Sequence, residues 1–349
     1  MKYRKKINLF VLSTILFIIA ISGINFIIDP FQQYRQATFH KTIFMKSFYL
    51  NAGLIKRNNY DSVVIGSSMT QNFIIDEINE KLNYKNAIKL PISGGNIVEY
   101  YTVLNSAIQS KKVKNVLFGL DAFSLENSTN RLPTYLYDYD TLNDYLYLIS
   151  IDTLKRSLLY PFLHLTIPKT HARLNSNLMF QWQHNHNKSD FNSTKVLNSF
   201  TSNDINFDKN INQEQLIKER IDNVAKYLIP LIKNNPNINY IFFYPPYSIL
   251  TYKQMEASDT LDNFILTKKY TFNMMSKYNN VKIYDFQIAK NITYDLNNYK
   301  DITHYHQKIN TWMLEQIHDN NYLVSKNNIN QYSKKLKIQV NQYKVNNKN

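Results

Sequence analysis

The sequence predicts an α/β protein: a parallel sheet with helices on both faces, an insertion after the third strand, and an N-terminal transmembrane helix. Three observations predict it. Short apolar runs alternate with stretches whose apolar residues recur at helical spacing, the signature of βαβ units. That alternation lapses from about Leu125 to Lys209, where Tyr, Asn, Leu and Ser follow no period. The run from Ile7 to Ile28 is uncharged and mostly apolar.

The elements follow in order. As a helix the run from Ile7 to Ile28 spans about 33 Å, enough to cross a bilayer core. A cleavable signal peptide is the competing reading, but its apolar stretch is usually shorter and ends in small residues. Here the run ends in "NFIIDPFQQY". Lys2, Arg4, Lys5 and Lys6 precede the span and Asp29 follows it. The positive-inside rule therefore predicts a cytoplasmic tail over 1–6, a single-pass membrane anchor over 7–28, and an extracytoplasmic location for everything from Asp29 onward. A juxtamembrane segment occupies 29–60.

The main domain, 61–326, opens with a strand over Asp61–Gly66. A helix over Gln71–Leu82 places Phe73, Ile74, Ile78 and Leu82 on one face. A second strand is expected near Lys85–Leu90, a helix from about Asn96 to Gln109, and a third strand over Val113–Asp121. The insertion, 125–209, is expected to be partly helical around Leu142 to Phe162. Regularity returns with a helix over Gln213–Lys233, a strand in "INYIFFYPP", a helix over Leu261–Tyr278, a strand in "VKIYDF" and a last helix after Asp301. The tail over 327–349 is polar and basic and reads as loose.

Composition narrows the function. With 44% hydrophobic and 14% aromatic residues the chain is suited to a folded core. Its net charge of +15 comes from lysines scattered through Asn- and Tyr-rich sequence. No compact basic stripe forms, which argues against nucleic acid. The absence of cysteine excludes disulfides, thiolate metal sites and a cysteine nucleophile. His184 and His186 in "HNH" have no further ligand at a suitable spacing, so no metal is expected.

Each strand ends in polar punctuation: "GSSMT", "PISGGN", "GLDAFS", "YPPYS", and "YKDITHYH" before the final helix. In one doubly wound sheet these ends share an edge, where ligands bind. A serine there needs an imidazole as base, and the imidazole needs a carboxylate to fix its tautomer. Ser68, His304 and Asp301 are those residue types, and such chemistry calls for no cofactor. Amides in the turn containing Gly94 and Gly95 are candidate oxyanion donors.

Each of these residues also has a simpler role open to it. Ser68 could cap the helix that follows, Asp301 could cap the last helix with His304 in its first turn, and His306 is a second candidate base. Gly94 and Gly95 could serve only a turn. Tyr247 and the other aromatics could be core or could stack on sugar rings.

Taken together, "GSSMTQNF", "PISGGN" and "DITHYH" resemble the SGNH (GDSL-like) hydrolase superfamily. With the anchor, "DPF", "GLDAF" and "YPPYS", the chain is similar to the membrane-anchored branch that includes bacterial alginate O-acetylation proteins and the D-alanyl transfer protein of teichoic acid synthesis. The resemblance implies a three-layer, flavodoxin-like α/β/α fold, with Ser68 as nucleophile, His304 as base, Asp301 as its orienting partner, and Gly94 or Gly95 as an oxyanion donor. It further implies an extracytoplasmic O-acyltransferase, with acetyl the first candidate group, acting on a cell-surface glycan and supplied by a multispanning membrane acyltransferase. A carbohydrate esterase would use the same residues; an anchored glycan-binding or assembly protein is the non-catalytic alternative. One departure is Asp121, which stands where many of these enzymes have an Asn donor. Either Asp121 is structural and Asn96 or a backbone amide donates instead, or the oxyanion hole is weak.

Overall fold

The computed structural model describes residues 2–38, 40–126, 128–168, 170–200 and 212–345. Residues 201–209 of the expected insertion and 346–349 of the expected tail lie outside the described residues. In chain order the elements are α1 (Lys2–Ile28), α2 (Ser47–Arg57), β1 (Ser62–Ile65), α3 (Ile75–Leu82), β2 (Ala87–Lys89), α4 (Ile97–Gln109), β3 (Asn115–Gly119), α5 (Tyr145–Leu148), α6 (Ile151–Thr166), α7 (Ser193–Ser199), α8 (Gln213–Asn223), α9 (Ile229–Asn234), β4 (Asn239–Tyr244), α10 (Ile249–Ala257), α11 (Leu261–Met275), β5 (Val281–Asp285), α12 (Lys290–Thr293), α13 (Gln307–His318) and α14 (Ile329–Gln342). They form two units, 1–59 with 131–179 and 60–130 with 180–349.

The larger unit is built on a five-stranded sheet in the order β2-β1-β3-β4-β5, with every neighbouring pair parallel. All four residues of β1 are buried, as a strand covered on both faces requires. The chain moves from β1 to one side for β2 and to the other for β3, so the strand order reverses at β1. The carboxyl ends of β1 and β3 flank the crevice that such a reversal opens. Phe73, Ile78, Phe243, Tyr252, Phe286 and Met313 belong to a buried apolar cluster in this unit.

Several elements differ from the sequence expectation. The helix expected from Gln71 starts at Ile75, because the carbonyls of Gln71 and Phe73 accept from the buried Lys89 ammonium at 2.7 and 2.5 Å. The single helix expected over Gln213–Lys233 is two helices joined by a π turn over Val224–Leu228. Pro230 lacks the amide a continuous ladder needs, and the wider turn absorbs that loss. The tail expected to be loose contains α14, whose Leu336 and Val340 are buried, and whose Gln339 exchanges bonds with the Ile288 carbonyl and the Tyr294 hydroxyl. The insertion also divides: 131–179 belong with the N-terminal residues, while 180–200 fold with the sheet, where Val196 enters its apolar cluster.

The smaller unit contains α1, which is long and apolar enough to cross a membrane. Its end is tied down by Asp29, which accepts from the Gln33, Tyr34 and Arg35 amides and from the Tyr147 hydroxyl. This explains the Asp of "DPF": one buried carboxylate closes the turn after α1 and joins it to α5.

Candidate active site

The first strand corner is made possible by two glycines. Gly66 has φ near 149°, where side chains are rarely tolerated, and a Cβ there would lie 2.7 Å from the Thr70 methyl. A Cβ on Gly119, at the end of neighbouring β3, would meet the same methyl at 2.8 Å. The missing side chains let Thr70 sit across both strand ends, and its hydroxyl bonds the Ser67 carbonyl at 2.9 Å. A 3-10 turn over Ser68–Thr70 results. Ser67 caps it, accepting from the Met69 amide at 3.3 Å. Ser68 is therefore released from the capping role that sequence alone allowed.

The Ser68 hydroxyl lies 2.8 Å from His304 Nε2. On the other side of the ring, His304 Nδ1 is 3.0 and 2.9 Å from the two Asp301 oxygens. The spacing of Asp301 and His304 comes from a side-chain turn and owes nothing to a helix: Asp301 Oδ1 accepts the amides of Thr303 and His304 at 2.9 and 2.7 Å. The helix α13 begins only at Gln307, capped by His306 through Nδ1. The ring of His306 packs on Phe191, so the two histidines have separate tasks. Burial alone would raise the Asp301 carboxyl, but the hydrogen bonds and charge of His304, with the two amides, hold it well below the usual carboxylate range. It thus stays ionised wherever the imidazole is a useful base.

The loop carrying Asp301 and His304 is pinned by "YPPYS". The Ile302 carbonyl accepts from the Ser248 and Thr251 hydroxyls at 2.6 and 2.7 Å, and Tyr299 donates to the Pro246 carbonyl at 2.8 Å. Tyr247 is buried and donates to Asp121. It is accordingly a support for the cleft floor, and the sugar-stacking reading of this tyrosine does not fit its burial.

Trp182, which sequence reasoning passed over, completes the corner. Its indole donates to the Ser68 carbonyl at 3.0 Å, and its ring meets the His304 ring edge-on at a centroid distance of 5.5 Å. Lys300 lies over the same indole. The signal was present, since Trp182 is one of only two tryptophans, but it sits in an aperiodic stretch that offers no register.

Ser68, Gly94, Gly95, Asn96, Asp121, Tyr247 and His304 all border one cleft of about 350 Å³. Gly94, with φ near 56°, and Gly95, where a Cβ would strike the Tyr100 ring, both meet the demands of a tight turn. Two of the expected donors are engaged elsewhere. The Gly95 amide bonds the Ile92 carbonyl at 2.9 Å. The Asn96 amide group donates to Ser128 and to the Thr129 carbonyl, while its oxygen caps α4. Ser68 is the first residue of its 3-10 turn, so its amide has no acceptor within that turn, and the residue borders the cleft.

Asp121 is buried, and one of its oxygens has no hydrogen-bond partner among the described residues. Burial pushes its carboxyl up to about 6, against the opposing effects of Ser67 and His304. A carboxyl raised in this way favours the fold below its unfolded value of 3.8, and that contribution is lost as pH climbs through about 6. Asp121→Asn keeps the shape without the charge. It is expected to stabilise this unit by up to about 3 kcal/mol at pH 7.5 and by nearly nothing at pH 4, read from denaturant melts at the two pH values.

The geometry lets Ser68 pass a proton to His304 while Asp301 holds the imidazole in the required tautomer. Compared with models of known protein families and with curated proteins, the chain matches none.

Proposed function

We propose that this chain is a membrane-anchored SGNH-type serine acyltransferase that places an acyl group, acetyl first among candidates, on a cell-surface polysaccharide outside the cytoplasm. The observation that carries this reading is the continuous chain of contacts from Ser68 Oγ through His304 to Asp301 beside an open cleft. Supporting the SGNH assignment, the strand order β2-β1-β3-β4-β5 is the flavodoxin-like order. The crossover from β1 to β2 and the one from β2 to β3 run in opposite directions across the sheet; if both are right-handed they put α3 and α4 on opposite faces, giving three layers. The long apolar α1 supports the anchor.

In the proposed reaction Ser68 Oγ attacks the acyl carbonyl and its proton passes to His304 Nε2. The leaving group takes that proton as the acyl–Ser68 ester forms. A sugar hydroxyl then gives its proton to His304 and attacks the ester, and Ser68 recovers its hydrogen from the imidazole. A multispanning membrane acyltransferase would supply the acyl group. Phe123, half-buried and lining the cleft, offers a ring face that suits a sugar. An ionised Asp121 disfavours the oxyanion, which predicts slow reaction with water.

Full-length protein in detergent, given p-nitrophenyl acetate with or without surface-glycan oligosaccharides, tests the reading. Acetylated oligosaccharide should appear by mass spectrometry, with nitrophenol release accelerated by the acceptor. Rapid hydrolysis indifferent to every acceptor would replace the transferase with an esterase. Failure of Ser68 to label with activated esters and with a serine-directed phosphonate would remove the catalytic reading altogether.

A further inference from the structure

The smaller unit has a helix that is apolar on the wrong side for water. In α6 the residues turned inward are Thr153, Ser157 and Tyr160. Leu158, Phe162 and Leu165 are 63%, 62% and 81% exposed, and with the exposed Ile151 they form one stripe at helical spacing. Leu142, just before α5, is also exposed. A helix on a water-soluble surface places these classes the other way round.

The inward polar groups have a defined task. Asn25, fully buried in the last turn of α1, donates to the carbonyls of Leu148 and Ser150 at 2.7 and 3.2 Å and accepts from Ser157 at 2.8 Å. Small and polar side chains joining otherwise apolar helices are the packing mode of membrane interiors. Asn25 stands about 27 Å along α1 from Ile7, within a hydrocarbon layer of about 30 Å. The exposed stripe of α6 belongs to the same unit as the exposed apolar surface of α1, including Phe26 and Ile27. At 16 residues and with Pro161 inside it, α6 is too short to span. Lys155, exposed near the stripe and 3.8 Å from the equally exposed Asp152, can extend its ammonium to headgroups.

We propose that the segment from Leu142 to Thr166 is a second membrane contact, with α6 lying in the leaflet that α1 leaves at Ile28 and its occupant the lipid itself. Such a contact fixes the rotation and tilt of this unit about its anchor, which a single span leaves free. The inference rests on α1 being a retained membrane span, as in the proposed function, and is independent of the chemistry at Ser68.

The chain has no cysteine, so single Leu158→Cys, Phe162→Cys and Leu165→Cys variants can carry an environment-sensitive fluorophore in the full-length protein. They would be reconstituted into phosphatidylcholine–phosphatidylglycerol vesicles containing no other protein, with Ile15→Cys on α1 as the lipid reference and Lys195→Cys as the water reference. The three α6 labels should shift to the blue and be quenched several-fold more than the Lys195 label by lipids carrying a nitroxide on the upper acyl chain, and the Ile15 label by lipids carrying one near the end of the chain. If Ile15 is quenched but the α6 labels match Lys195, the span stands and the second contact is refuted. If Ile15 also fails to quench, the anchor fails and the inference falls with it. Protection of α6 appearing only after a partner membrane protein is added would assign the stripe to protein and overturn the lipid proposal.

Discussion

Ser68→Ala is expected to reduce turnover of an activated acetyl ester by about 10⁴-fold or more, with the melting temperature nearly unchanged. The hydroxyl sits in a partly buried corner and its partner, His304 Nε2, can turn to water when the hydroxyl is removed. The backbone turn is held by Ser67 and Thr70, so the fold does not need this oxygen. His304→Ala should be similarly inactive. Asp301→Asn should keep a measurable remnant, since its retained oxygen can still accept the Thr303 and His304 amides while the imidazole loses its charged partner. His306→Ala, altering a helix cap, should keep most activity. An inactive His306→Ala beside an active His304→Ala, measured with p-nitrophenyl acetate, would reverse the assignment of the base.

The largest expected loss of stability lies away from the cleft, at Asp285→Ala. The Lys268 ammonium is buried between Asp285 Oδ2 and Gln287 Oε1, each at 2.6 Å, over the Tyr244 ring. Burial lowers the basicity of Lys268, and Asp285 opposes that effect. Removing the carboxylate leaves a buried cation without its counter-charge, at a cost of about 3–5 kcal/mol, or a fall of about 10 °C in the melting transition of this unit. A lysine with a lowered folded pKa is penalised while its proton must stay on. The deficit should therefore be greatest at neutral pH and shrink as pH rises toward 10.5, the ordinary lysine value. A Lys268→Met, Asp285→Leu double variant should recover part of the loss; one less stable than Asp285→Ala would mean that the pair does more than balance charge.

Local order in this chain is written where neighbours in sequence are neighbours in space. The apolar run of β1, the spacing of α4, and the length of α1 all depend on the next few residues, and they were legible as such. The close approach of Asp301 to His304 was legible for the same reason, although a side-chain turn produces it. By contrast, α14 hides two buried contacts, Leu336 and Val340, among lysines, asparagines and glutamines, and only the surface it packs on reveals them. Local signals for α6 were even misleading in sense, since its helicity was readable but the side it buries depends on Asn25, more than a hundred residues away.

The amino-acid order by itself determined the α/β class, the apolar N-terminal helix and the chemical identity of the groups at the strand ends, because these follow from periodicity, length and residue type. Tertiary structure alone decided that Ser68 and His304, 236 positions apart, meet at 2.8 Å; that Gly95 and Asn96 spend their donors on a turn and its neighbours; and that Trp182 closes the corner from within an aperiodic segment. Those outcomes depend on strand order and on competition among partners brought together only by packing, and no local spacing encodes either one.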